Sequence, residues 1–482
     1  MKPANTAPIT GQAASSKRWA LTSLSLSTLL ASLGASVATV GLPAIAQGFD
    51  ASFQAVQWVV LAYLLAITTL IVSVGRLGDL LGRRRLLLAG IALFTLASAL
   101  CGLAPALWLL IAGRALQGLG AAIMMTLTLA LVGETAGKDK TGRAMGLLGT
   151  LSAVGTALGP SLGGALTSEF GWQAIFLVKV PFGLLALLLA WRALPSGPAV
   201  DTVEKNRFDI MGTVLLATAL ATYVLATTHG RGHLDGANVA LLAMAILSAG
   251  WFIRSQARTA SPLIPLPLLG DRLLVSGLAT SALVATVMMA TLLVGPFYLS
   301  IALGLPTAWV GLAMAAGPAV AALAGVPAGR LADRFGAGAI RLAGLSIMAL
   351  GCMTLALLSP ALGTGGYVGT IMMTTLGYAL FQTANNAAVM AGIPAQRRGV
   401  TAGLLNLSRN LGFLTGASVL GAVFAATLPT GGITEATAQT VTNGLNLTFA
   451  VASALILLAL VIALRCRVPE PLDDNLATSR RA

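Results

Sequence analysis

Gly75-Arg76-Leu77-Gly78-Asp79-Leu80-Leu81-Gly82 recurs later in the chain as Gly329-Arg330-Leu331-Ala332-Asp333-Arg334-Phe335-Gly336, with five of eight positions identical. Each copy follows an apolar run, and the first leads directly into Arg83, Arg84 and Arg85. Glycine permits tight turns, so both copies read as loops between apolar segments. Their repetition reads as a duplicated half, an arrangement common among secondary transporters.

On either side of these copies the chain is apolar. Of 482 residues, 57% are hydrophobic and 9% charged, whereas a soluble domain carries about 25% charged residues. Mean hydropathy is +0.89. There are too few polar residues to coat an aqueous core of this size, so the bilayer is the natural solvent. A span needs about 20 apolar residues. Fourteen segments meet that requirement: 20–46, 55–75, 86–104, 106–132, 144–166, 173–191, 209–228, 237–253, 273–301, 306–326, 339–359, 365–391, 399–427 and 441–464.

The basic residues test this count. With the N-terminus in the cytoplasm and the spans alternating, all of the 29 Lys and Arg except Arg114, Lys179, Arg231 and Arg409 fall in cytoplasmic segments. Arg76 and Arg83 to Arg85 follow helix 2; Lys138, Lys140 and Arg143 follow helix 4; Arg330, Arg334 and Arg341 follow helix 10; Arg397 and Arg398 follow helix 12. A wrong count would scramble this segregation. The net charge of +14 therefore reports membrane orientation rather than nucleic-acid binding. Ala44-Ile45-Ala46 resembles a signal-cleavage site, but the apolar stretch before it exceeds the roughly 7–15 residues of a signal core, so an uncleaved first helix is expected. The domains follow: a tail at 1–19, a six-helix bundle at 20–191, a linker with two inserted helices at 192–272, a second six-helix bundle at 273–465, and a tail at 466–482. Both termini are expected in the cytoplasm.

Two helices carry further patterns. Helix 5 contains Gly155-Thr156-Ala157-Leu158-Gly159-Pro160-Ser161-Leu162-Gly163-Gly164. Gly155, Gly159 and Gly163 recur every four residues, which lets helices approach closely, and Pro160 removes a backbone donor and can kink the helix. Helix 4 contains Arg114-Ala115-Leu116-Gln117-Gly118-Leu119-Gly120. An arginine at that depth is costly and must face a cavity or a partner; a structural bond to helix-end carbonyls is the plain alternative.

With these motifs the chain resembles the major facilitator superfamily and, within it, the fourteen-span drug:proton antiporters. Gly75, Asp79, Gly82, Arg83 and Arg84 match the signature after helix 2, and the helix 4 and helix 5 runs match the family's motifs there. The resemblance covers nearly the whole chain. It implies an all-α integral membrane fold of two six-helix bundles plus two central inserted helices, in a bacterial cytoplasmic membrane. It also implies proton-driven export of drug-like or antibiotic compounds by alternating access. Arg114 would take part in proton coupling. Asp79 would accept hydrogen bonds from a helix N-terminus or from an arginine across the bundle interface, with Asp333 and Arg334 in the second copy, forming a latch; topology anchoring is the other reading of this basic cluster. Gly155, Gly159, Pro160, Gly163 and Gly164 would form a rocking surface, or simply a packing one.

The chain departs from that pattern at two places. Helix 1 reads Leu33-Gly34-Ala35-Ser36-Val37-Ala38-Thr39-Val40-Gly41-Leu42-Pro43, with Gly34 where the family has an aspartate and Thr39 where it has asparagine. The run Gly171-Trp172-Gln173-Ala174-Ile175-Phe176-Leu177-Val178-Lys179-Val180-Pro181 places Lys179 where asparagine is usual. None of the 15 acidic residues lies deep in an apolar segment; the buried charges are expected to be Arg114, Lys179 and Arg409. Such a cavity favours anionic, zwitterionic or neutral amphiphiles over cations.

The expected substrate cavity combines Gly34, Ser36, Thr39 and Lys179 with Gln382, Asn385 and Asn386 on one face of helix 12 and Asn406 and Arg409, beside Asn410, on helix 13. Bonding between helices is an equal alternative for the amides. Met288 and Met289 are expected to pack, or to offer an adaptable wall. Lys179 either carries a proton, since burial disfavours a charged amine, or snorkels to the interface. His229 and His233 read as solvated residues of an outer loop. Cys101, Cys352 and Cys466 have no metal-type spacing, the apolar segments hold no cluster of acids or histidines, and there is no phosphate-binding loop. No enzyme, metal or cofactor is therefore expected. The expected partners are a small-molecule drug or antibiotic, protons and the lipid bilayer, with no nucleic acid. A dedicated exporter of one metabolite or self-made natural product is the alternative function.

Overall fold

The computed structural model describes residues 10–135, 141–194, 209–229, 235–259, 262–264, 266–391, 393–394, 398–429 and 433–466. Lys138, Lys140, Arg231, His233, Arg397, most of the first linker, residues 1–9 and residues 467–482 lie outside them.

In hydrocarbon no water pairs with the backbone, so a spanning chain closes its hydrogen bonds within helices. A helix lies on each of the fourteen apolar runs. These are α1 (Thr10–Val40), α2 (Phe53–Leu70), α3 (Arg83–Gly102), α4 (Leu107–Thr135), α5 (Thr141–Phe170), α6 (Lys179–Ala193), α7 (Ile210–Thr228), α8 (Gly236–Arg258), α9 (Arg272–Phe297), α10 (Thr307–Phe335), α11 (Ala337–Ala356), α12 (Gly363–Ala391), α13 (Arg398–Thr415) and α14 (Ala438–Arg465). Among the described residues, eleven helices are long and apolar enough to cross a membrane. Several begin on side-chain caps: Ser52 accepts from Ala55 N–H at 3.3 Å ahead of α2, and Asp271 from Leu273 N–H at 2.8 Å ahead of α9.

The two eight-residue copies are helical rather than loops. The first lies mostly in a short helix, Ser73–Leu81, and α10 runs past the expected residue 326 to take in most of the second. Only the last glycine of each turns the chain: Gly82 has φ +88° and Gly336 φ +83°, the left-handed region open to glycine. Arg341, expected in a loop, lies in the first turns of α11 and is 1% exposed, with Nη2 donating to Ser276 Oγ at 2.7 Å.

The first six helices and the last six pack in the same scheme. In the first bundle α1 packs on α5 and α6, α2 on α4, and α3 on α4 and α6. In the second bundle α9 packs on α13 and α14, α10 on α12, and α11 on α12 and α14. The bundles meet along two seams, α5 on α10 and α2 on α13. Without a hydrophobic driving force in lipid, close approach of small residues carries such contacts. At the first seam, a Cβ on Gly164 would lie 2.7 Å from Gly311 Cα, nearer than real Cβ atoms come, so only glycine fits there.

The inserted helices α7 and α8 pack on each other, and α7 also lies on α2 and on the π-helical turn Gly416–Leu420 that continues α13. Ser73 and Thr213 share a hydrogen bond at 2.9 Å. α7 therefore covers the α2/α13 seam. α8 exposes Ile246, Leu247 and Trp251, as a helix solvated by lipid does.

Candidate functional site

One cluster sits inside the first bundle. Arg114 on α4 and Lys179 on α6 are both 0% exposed. Arg114 Nε donates to Val59 O at 2.8 Å and Nη1 to Gly34 O at 3.1 Å; Nη1 also donates to Gln117 Oε1. Gln117 in turn donates to Ser98 Oγ at 2.6 Å. The guanidinium carbon stands 4.1 Å from the centre of the Tyr63 ring, a cation–π distance. Lys179 Nζ makes no hydrogen bond and stands 4.8 Å from the Phe176 ring centre and 5.9 Å from that of Phe94. No Asp or Glu whose side chain is described is buried. Arg114 is held by carbonyls, an amide and aromatic faces and Lys179 by aromatic faces alone, and neither has a counter-ion. Arg409, expected as the third buried cation, is half-buried, and Arg341 is the additional buried one.

Gly34 is tightly enclosed. A Cβ there would meet Phe94 Cζ at 3.1 Å and Tyr63 Oη at 3.3 Å, so the space beyond Gly34 holds an aromatic edge. Ser36 faces into the α1/α5 packing, with Oγ 3.5 Å from Gly155 O as well as 3.3 Å from Ser32 O, while Thr39 is buried and its Oγ1 donates to Ser36 O at 2.7 Å. The helix 5 glycines lie against them. A Cβ on Gly159 would overlap Ser36 Oγ, one on Gly155 would come within 2.8 Å of Leu29 O, and one on Gly163 within 2.8 Å of Val37 O.

A separate cavity of about 110 Å³ lies between α5, α9, α10, α12 and α13. Thr156 comes from α5, Met288, Thr291 and Leu292 from α9, and Met314, Gly317 and Pro318 from α10; Tyr367, Thr375 and Tyr378 come from α12 and Phe413 from α13. The predicted cavity residues do not line it. Two groups lie beside it along the same helices: Gln382, one turn past Tyr378, donates to Asn386 Oδ1 at 2.9 Å, and Arg409, one turn before Phe413, donates to Asn406 Oδ1. Asn385 is buried and donates to Gly277 O at 3.1 Å. Met288 lines the cavity, and Met289 is packed in the core. The tyrosines and Phe413 escaped the sequence reading because an aromatic on an apolar helix gives no signal of which way it faces.

At the end of the molecule away from the two copies, three rings close the α2/α13 seam. Phe53 stands 5.2 Å from Phe297 and 5.0 Å from Phe424, edge-on to both, and all three are at most 1% exposed. One turn inward, Gln57 Nε2 donates to Ala417 O in the π turn. At the other end, a Cβ on Gly325 or Gly329 of α10 would meet nothing within 4 Å. The bundles touch at the far end through these rings and through Gly164 against Gly311. Asp79 is bound by Arg83, from Nε at 3.0 Å and Nη2 at 2.8 Å, within its own motif rather than across the bundle interface. Arg84 Nη2 donates to Trp191 O at 2.5 Å, near the C-terminal end of α6, where cations are favoured. In the second copy, the Arg334 guanidinium lies 5.2 Å from the Phe335 ring centre. His229 stands 3.9 Å from Asp235, both side chains more than half exposed.

Two duplicated bundles closed at one end around a central cavity define a multi-pass membrane transporter. The profile of the Major Facilitator Superfamily matches residues 24–417, and the chain belongs to that superfamily. It is 32% identical to the multidrug efflux pump LfrA of Mycolicibacterium smegmatis over 410 residues, 84% of this chain and 81% of that one. It is 30% identical to the riboflavin transporter RibZ of Clostridioides difficile over 400 residues, 83% and 86% of the two chains. Its fold matches that of a D-xylose-proton symporter with a TM-score of 0.68 at 15% identity, over 94% of this chain and 98% of the other.

Proposed function

We propose that this chain exports amphipathic, drug-like molecules across a bacterial cytoplasmic membrane by proton antiport, and prefers neutral or anionic substrates to cations. The observation that carries this reading is the Arg114–Lys179 cluster, two fully buried cations with no buried acid among the described side chains. A cationic substrate approaching it meets like charge, and nothing nearby compensates.

In this account residues 20–191 and 273–465 rock as two bodies, joined by the segment at 192–272. The basic end, with both termini, lies in the cytoplasm, so the arrangement described is open inward. Lys179 exchanges the transported proton, because a guanidinium keeps its own. The gradient biases the cycle only if proton and substrate bind the two states differently. The Asp79–Arg83 pair holds the helix Ser73–Leu81 to the start of α3, and Arg84 ties α3 to the end of α6, in this state, with Gly75 and Gly82 shaping the motif. Kinship to LfrA supports export of drugs. Kinship to RibZ favours a second reading, movement of one specific metabolite.

The test is a susceptibility panel in a pump-deficient bacterial host, with anionic, neutral and cationic antibiotics, with and without a protonophore. Protonophore-sensitive resistance to neutral or anionic compounds is expected. Resistance confined to cations would overturn the charge argument, and no resistance despite membrane expression would favour the metabolite reading.

A further inference from the structure

Among the described residues, prolines interrupt the interiors of three helices around the cavity: Pro160 in α5, Pro296 in α9, and Pro318 and Pro327 in α10. Proline has no N–H, so the carbonyl four residues before it loses its helical donor. Those carbonyls belong to Thr156, Leu292, Met314 and Leu323. The first three residues line the cavity. Leu323 does not and is 79% exposed. The residue four before a proline shares its helix face; for α10, Met314 and Pro318 both line the cavity, which puts the open carbonyl between them in the cavity wall.

Of the five hydroxyls that line the cavity, those of Thr156, Thr291 and Tyr367 donate within the protein. Thr156 Oγ1 donates to Ser152 O at 3.0 Å, Thr291 Oγ1 to Met288 O at 2.7 Å, and Tyr367 Oη to Met314 Sδ at 3.6 Å. Their hydrogens are engaged within the protein, which leaves oxygen lone pairs toward a ligand. The remaining walls are aromatic, aliphatic and thioether surface together with the hydroxyls of Thr375 and Tyr378. A cavity of about 110 Å³ is well below the roughly 300–1,000 Å³ of sites that enclose a drug-sized ligand, so it takes one ring of a larger molecule.

We infer that this cavity is a subsite for an uncharged aromatic ring bearing N–H or O–H donors, recognised by the open carbonyls of Thr156, Leu292 and Met314. This rests on the export reading and narrows its substrate class. A carboxylate brings only acceptors and finds no donor in those three carbonyls.

The test uses the purified full-length protein and two fluorescent probes that are neutral at pH 7: 7-amino-4-methylcoumarin, which has donors, and its 7-dimethylamino analogue, which has none. The amino compound is expected to bind about tenfold more tightly, the factor carried by one good hydrogen bond. Pro318→Ala and Pro160→Ala restore the helical N–H and re-occupy the carbonyl, so each should erase most of that preference without weakening the dimethylamino compound. Pro327→Ala, in α10 but away from the cavity, should leave both affinities unchanged and controls for helix straightening. Equal binding of the two probes, equal effects of Pro318→Ala and Pro327→Ala, or no binding of either probe would overturn the inference. Each of these results leaves the export reading to the susceptibility panel, which fails or stands separately.

Discussion

Arg114 Nη1 donates to the carbonyl oxygen of Gly34 at 3.1 Å, and the space a side chain at Gly34 would need is held by Phe94. A backbone carbonyl thus stands where an aspartate would present a carboxylate, and the neighbouring ring closes the site. Charge and packing at this position are coupled.

Gly34→Asp therefore brings a counter-ion to Arg114 but crowds Phe94. Overpacking of this kind costs about 1–3 kcal/mol, so the single variant should melt at a lower temperature and gain little activity. Gly34→Asp combined with Phe94→Leu should lose less stability than the sum of the two single variants and extend resistance to quaternary ammonium compounds. Thermal unfolding in detergent and growth inhibition by a quaternary ammonium dye check both halves; additive effects of the two substitutions would contradict the coupling.

Lys179 Nζ has no hydrogen-bond partner and is fully buried. Its removal takes away an uncompensated charge, so Lys179→Met should fold and melt at a temperature no lower than the parent protein. Transport driven by a pH gradient should fall about tenfold or more, the effect of losing 1.4 kcal/mol of coupling, while substrate binding persists. Unchanged gradient-driven transport would remove Lys179 from the proton path.

Much of this fold is written locally. The apolar runs and the segregation of basic residues place all fourteen helices, because span length and interface charge are properties of short segments. The helical state of the two repeated copies is less visible: their glycines suggest turns, yet only Gly82 and Gly336 adopt left-handed backbone. The buried cations Arg114 and Lys179 stand out in an apolar run, whereas Arg341 looks like a loop charge. The cavity was not legible, since which of Tyr367, Tyr378 or Phe413 faces inward depends on how helices distant in sequence are rotated against one another.

The Phe53 and Phe424 rings, 5.0 Å apart, join the bundles at the far end. Phe53→Cys with Phe424→Cys, in a protein whose Cys101, Cys352 and Cys466 are replaced by serine, should be cross-linked by a short bifunctional methanethiosulfonate reagent, whose bonds are reducible. Efflux should stop, and reduction should restore it. A cross-linked protein that transports at the parent rate would show that this end need not open.

The α5/α10 seam depends on Gly164 against Gly311. Gly164→Leu or Gly311→Leu should hold the far end apart and abolish export at normal membrane expression. Gly325→Ala, with open space around it, should export normally. Equal loss in all three variants would place the defect in helix propensity rather than in the seam.

Proton-coupled export of an uncharged substrate is tested most directly in sealed vesicles reconstituted with the purified protein, by following internal pH and substrate together after a proton gradient is imposed. The account predicts substrate movement against the proton flow, dissipation of the gradient on adding a neutral aromatic substrate, and loss of both in Lys179→Met. Substrate movement at the same rate with and without the gradient, and no proton flux on adding substrate, would contradict it.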